Sequence, residues 1–152
     1  MASKRLLIGL ALACLATTAA AHDYVVVAST DPSIARGQPI DAGARLPLAI
    51  GHSVTLMYAS GDLVTLRGAS GGVVAPTRRA SSAEAQRLEV LRMMVGPAPE
   101  PAGPRLAKTR GGLCPAAAGL TTLDDIATAA QGGCTAEARA ALEAWLAAHP
   151  AP

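Results

Sequence analysis

Apolar and polar positions alternate most regularly between residues 54 and 66. Val54, Leu56 and Tyr58 interleave with Thr55, Met57 and Ala59, Ser60-Gly61-Asp62 breaks the pattern, and Leu63, Val64 and Leu66 resume it around Thr65 and Arg67. Two period-two runs separated by a glycine-containing turn predict a β-hairpin. Its buried face should carry Val54, Leu56 and Tyr58, with Val64 and Leu66 opposite them. The flanking sequence extends this hairpin into a small antiparallel β unit over residues 24–74. Residues 24–28 (Tyr-Val-Val-Val-Ala) are nearly all apolar and rich in β-branched side chains, which predicts a strand that is central or covered on both faces. Ser29-Thr-Asp-Pro32 ends it. A short second strand is expected at Ile40, an edge strand where Leu46 and Leu48 flank Pro47, and a last one at Val73-Val74-Ala75.

Beyond Pro76 the spacing changes from two to three or four. Ser81 or Ser82 is placed to cap a helix with Glu84 in its first turn, and Ala85, Leu88, Leu91 or Arg92, and Val95 recur on one face. Gly96-Pro97 stops it, and residues 96–104 hold four prolines in nine positions, an extended linker. Thr121 or Thr122 begins a second helix with Asp124 and Asp125 in its first turn, closed by Gly132-Gly133. Thr135 is placed as the cap of a third, whose stripe of Leu142, Trp145 and Leu146 ends near His149-Pro150. The stripe packs Trp145 into the core, with an exposed interface role as the alternative. The predicted class is therefore α+β: a small antiparallel β-sheet domain followed by a disulfide-clipped helical region. The segments are 1–21, 22–76 (β unit), 77–104 (helix and Pro-rich linker) and 105–152 (helical hairpin with disulfide).

The first segment fixes the compartment. Lys4 and Arg5 precede an apolar run over residues 6–16 and then small residues up to Ala21. Basic, apolar, small is the pattern of an export signal, cut after Ala21 to leave His22 at the mature N-terminus in the periplasm or outside the cell. Two alternatives stand, retention as an uncleaved anchor and lipidation at Cys14. The run is short for a membrane span, and the mature domain is expected not to span one. Removing Lys4 and Arg5 takes 13 basic against 11 acidic residues to an even balance, which argues against nucleic acid or an anionic membrane as partner. It also leaves two of three cysteines, Cys114 and Cys134, read as a disulfide in an oxidising compartment. Closing a loop of about twenty residues stabilises the fold by about 3 kcal/mol on a chain-entropy argument. The one cationic cluster, Arg105, Lys108 and Arg110, is a solvated face or loop, or a contact for an acidic partner or an anionic head group.

The run Gly37-Gln-Pro-Ile-Asp, Leu46-Pro-Leu, Gly51-His-Ser-Val-Thr-Leu, Ser60-Gly-Asp-Leu-Val-Thr-Leu-Arg-Gly68 resembles small alphaproteobacterial periplasmic proteins. It is also distantly similar to the periplasmic repeat of FecR-type regulators. That resemblance covers about fifty residues and implies a scaffold of short strands and, at most, a small periplasmic sensor module. Those regulators carry a sigma-interacting region ahead of a membrane span, and only five residues precede Leu6 here, so the scaffold alone carries over.

Chemistry is sparse. The glycines of residues 68–72 match neither a phosphate loop nor a dinucleotide fingerprint, and no metalloprotease, paired CxxC or calcium-loop motif occurs. The remaining candidate is copper. After cleavage His22 would offer an amine and an imidazole on one residue, and His52 a further nitrogen. The opening residues 22–32 resemble the start of small periplasmic copper-carrier β proteins, without the further ligands of those carriers. The preferred expectation is a non-enzymatic exported protein with no cofactor, a structural or interaction component that binds a protein partner in the cell envelope or membrane.

Overall fold

The computed structural model describes residues 22–97 and 114–151. Its β-rich half contains six strands: β1 (Tyr24–Ser29), β2 (Pro39–Ile40), β3 (Arg45–Leu46), β4 (Ser53–Tyr58), β5 (Leu63–Arg67) and β6 (Val73–Val74). Four of them form an antiparallel sheet in the order β2-β1-β4-β5. The expected hairpin is β4–β5, with Val54 opposite Leu66 and Leu56 opposite Val64. The β-branched run of β1 lies centrally, paired with β4 through a bulge between Val26 and Ala28. β3 and β6 do not extend this sheet and instead pair with each other as a separate ribbon.

The hairpin is not buried on one face alone, contrary to what its alternation predicts. Val54, Leu56 and Tyr58 are buried as expected, but so are Met57 and Ala59, both 0% exposed, on the face expected to be open. The four consecutive residues Tyr24, Val25, Val26 and Val27 are buried as well. The sheet is thus covered on both faces, as a run without polar alternation demands. The turn explains part of this. Gly61 adopts φ +97°, and a Cβ placed there would come within 2.5 Å of Leu123 Cδ1 and 3.1 Å of the Trp145 ring, so the turn itself is packed against the helical region.

Three helices follow: α1 (Ser82–Val95), α2 (Leu123–Gln131) and α3 (Thr135–Ala148), with a short 3-10 turn at Ala117–Gly119. α1 starts with a reciprocal capping box in which the Ser81 hydroxyl accepts from Glu84 N–H and the Glu84 carboxylate accepts from Ser81 N–H. It buries Leu88, Leu91, Met94 and Val95. Thr122 caps α2 by accepting from Asp125 N–H. Thr135 does not cap α3: it is the first helical residue, and Cys134 occupies the cap position without a side-chain hydrogen bond. Cys134 is held there by its disulfide to Cys114, with the Cα atoms 5.5 Å apart. The bridge therefore closes the segment that contains α2 onto the start of α3.

The two halves share one hydrophobic cluster, which runs from Val25, Leu56 and Met57 in the sheet to Leu91, Ile126 and Leu142 in the helices. A polar contact crosses the same boundary, Arg36 in the loop after β1 donating to Glu143 on α3 at 2.5 Å. Within the helical half, Arg87 on α1 pairs with Asp124 on α2. Among the described residues no helix is long and apolar enough to cross a membrane. The export signal with Cys14, Leu113, and residues 98–104 of the Pro-rich linker lie outside the described residues, as do Arg105, Lys108 and Arg110.

Replacing both cysteines (Cys114→Ser with Cys134→Ser) should lower unfolding stability by about 3 kcal/mol, because the unfolded chain regains the freedom of the closed loop. Urea unfolding of the oxidised chain and the double variant measures this, with the far-UV spectrum of the folded state unchanged.

Candidate functional site

The densest set of ionisable groups sits where the chain passes from the sheet into α1. Asp23, just ahead of β1, is buried, and its carboxylate accepts from Ala42 N–H at 2.8 Å and from Ala80 N–H at 2.6 Å. Tyr58, at the end of β4, donates its hydroxyl to the Arg79 carbonyl at 2.8 Å. The Arg78 guanidinium lies 3.9 Å above the Tyr58 ring and donates to Asp62 at 2.7 Å. Asp62 also accepts from the Ser60 hydroxyl at 2.6 Å. Burial pushes the Tyr58 hydroxyl above its ordinary pKa, reinforced by the neighbouring Glu84 carboxylate. Burial raises Tyr24 too, with Tyr58 and Asp23 adding to it. Hydrogen bonds from Ser60 and then Arg78 hold Asp62 below the usual carboxylate range, and those from Ser81 do the same for Glu84. Asp23, Tyr58, Arg78, Asp62 and Glu84 are each hydrogen-bonded to backbone or to a neighbouring side chain, which makes the set a structural hub.

The histidines are dispersed. His22 Nδ1 lies 2.8 Å from Asp41 Oδ1, and His52 Nδ1 lies 2.9 Å from the Thr30 carbonyl. The β1–β4 register, Tyr24 against Tyr58 and Ser29 against Val54, puts His22 and His52 at opposite ends of that ladder, on the order of 20 Å apart. One copper ion cannot take both imidazoles in this fold. His149 stacks on Trp145, ring centroids 4.2 Å apart. Among the described residues the one group of three potential metal-binding side chains is Cys114, Cys134 and Glu137. Its two sulfurs are bonded to each other and are not thiolate ligands.

What remains is an apolar groove of about 520 Å³ at the junction of the three helices. Val90, Met93 and Met94 of α1 form one wall, and Ala130, Ala136 and Arg139 contribute from α2 and α3. Met93 is 61% exposed and stands at the rim of the groove. Among the described residues Arg139 supplies the only cation of the groove, and its guanidinium is already engaged. It donates to the Gly96 carbonyl at 2.7 Å and to the Met93 carbonyl at 3.1 Å, capping the C-terminal end of α1.

The residues singled out from sequence divide accordingly. Cys114 and Cys134 pair, and Trp145 is half-buried between the Gly61 turn and His149 rather than freely exposed. The groove was missed. Its one local signal is Val90, Met93 and Met94, a second apolar stripe at helical spacing beside Leu88, Leu91 and Val95.

Comparison with protein-family models, curated proteins and solved structures finds no match. The polar hub can be tested by titration. Asp31, held down chiefly by the Ser33 hydroxyl, joins Asp62 and Glu84 as carboxylates with depressed pKa in the fold. The unfolded chain binds protons first as pH falls below about 4, so their stabilisation is present above that pH and is lost on further acidification. Tyr24 and Tyr58 have raised values, so the unfolded chain loses protons first above about pH 10 and stability declines as pH rises further. Melting temperature against pH should show a plateau between these limits, and Tyr58→Phe should shrink the alkaline decline while lowering the plateau.

Proposed function

We propose that this chain is a non-catalytic exported interaction protein that binds a protein partner in the cell envelope or a membrane complex through its helical-junction groove. The supporting observation is the groove itself: three helices present an apolar concavity with the exposed Met93 at its rim. Its one cation is spent on carbonyls of α1. Methionine side chains are flexible and polarisable, so such a groove accepts an apolar stripe of a partner helix or segment without demanding one fixed shape. The ionisable residues support a binding role over an enzymatic one, since Asp23, Glu84 and Tyr58 of the densest set hold backbone groups in place. The disulfide and the export-type N-terminus are consistent with a periplasmic or extracellular setting. The copper reading loses its His52 ligand to the register of the sheet.

The proposal is tested by cross-linking and purification from native membranes. The wild-type chain should recover one defined protein partner, and Met93→Glu should cut that recovery about tenfold or more by placing a charge in the apolar contact. Because Met93 is exposed, the same substitution should leave the melting temperature nearly unchanged. Equal recovery by the wild-type chain and the variant removes the groove from the binding role.

A further inference from the structure

The sheet has two outer strands that differ in kind. β2 has two residues, one of them Pro39, which has no N–H to offer. β5 has five residues, Leu63-Val-Thr-Leu-Arg67, with no proline and no bulge in its pairing to β4. The hydrogen bonds at its two ends fix which backbone groups face β4. Tyr58 N–H donates to the Asp62 carbonyl and Gly68 N–H to the His52 carbonyl. By antiparallel alternation Val64 and Leu66 also bond inward, whereas the N–H and C=O groups of Leu63, Thr65 and Arg67 point away from β4. Among the described residues none of these three outward residues has a backbone hydrogen bond to any other segment. A flat edge of this kind is a template for another strand.

The side-chain order of β5 suits one strand in particular, a second copy of itself. We propose that the chain forms a two-fold dimer in which β5 pairs antiparallel with its counterpart, centred on Thr65. In that register Thr65 faces Thr65 of the other copy and Leu63 faces Arg67 in both directions, so all three outward residues on each side are paired by about six backbone hydrogen bonds. Between them Val64 lies against Leu66 of the other copy. These are both half-buried apolar side chains in the single chain. The Thr55–Thr65 hydroxyl pair, 3.3 Å apart, continues into a row of four threonines across the seam. The only charge on the strand, Arg67, is about 14 Å from its own symmetry mate, beyond strong repulsion at physiological salt. The two sheets become one of eight strands, and each exposed long edge disappears.

Sedimentation of the full chain carrying Cys14→Ser should show a concentration-dependent dimer. Thr65→Pro, which removes an outward N–H and no bond to β4, should weaken the dimer about tenfold or more. Site-specific oxidation provides the register. Thr65→Cys in the same background should form an intermolecular disulfide, since hydrogen-bonded antiparallel partners place Cα atoms about 5.5 Å apart. Leu63→Cys should not, because its symmetry mate lies about 14 Å away. A chain that stays monomeric, a dimer insensitive to Thr65→Pro, or cross-linking that is equal at the two positions or absent from Thr65→Cys overturns the proposal. If Thr65→Pro fails to fold, the two cysteine variants decide.

Discussion

The buried carboxylate of Asp23 is the constraint from which the arrangement of sheet and helices follows. It stands at the entrance to β1 and accepts from two backbone N–H groups remote in sequence, Ala42 between β2 and β3 and Ala80 just before α1. A buried acid without partners would be costly, and two short charge-assisted hydrogen bonds compensate it only while both segments stay in place. Tyr58, paired with Tyr24 in the neighbouring strand, holds the adjacent Arg79 carbonyl. The central strand pair therefore grips residues 79–80, and the capping box at Ser81 starts α1 directly from that grip. Direction and position of α1 are set before its own apolar face is counted.

The other end of α1 is fixed by different means. Arg139 on α3 takes two of the terminal carbonyls of α1, and the close approach of Gly37 to Gly96 holds the same end against the loop after β1. A Cβ at Gly37 would lie 2.6 Å from Gly96 Cα, and its φ of +83° is open to glycine. The disulfide places the beginning of α3, and with it Arg139, relative to the segment before α2. With both ends of α1 held by backbone hydrogen bonds, the space between its exposed side and the α2–α3 corner need not be filled for the fold to stand. That space is the apolar groove.

Features set by neighbouring residues were legible in the sequence. The β4–β5 hairpin, a serine cap at Ser81 or Ser82 ahead of Glu84, a threonine start at Thr121 or Thr122 and the glycine stops depend on contacts within a few positions, where spacing and residue type carry the information. The Cys114–Cys134 pairing followed from there being two candidates left once Cys14 was assigned to an export signal. Apart from the Thr135 cap, displaced by one residue onto Cys134, what failed depends on which segments meet across the chain. Met57 looked like the open side of a strand because nothing local announces a second covering layer. The separation of β3 and β6 into their own ribbon is a matter of long-range pairing, and Pro47 hinted only that Leu46 was not central. Nothing local announces the role of Asp23, since its two partners lie 19 and 57 positions away. The groove is the least legible of all, because it is made by three helices and announced by one extra pair of methionines.

Asp23 couples the sheet to α1 as one cooperative unit. Hydrogen exchange of Asp23→Ala against the wild-type chain tests it most directly. Amides of α1 and of β1 and β4 should lose protection together and by a similar factor, because removing the shared acceptor releases both attachments at once. Loss of protection confined to Ala42, Ala80 and their immediate neighbours, with α1 and the sheet unchanged, would contradict it.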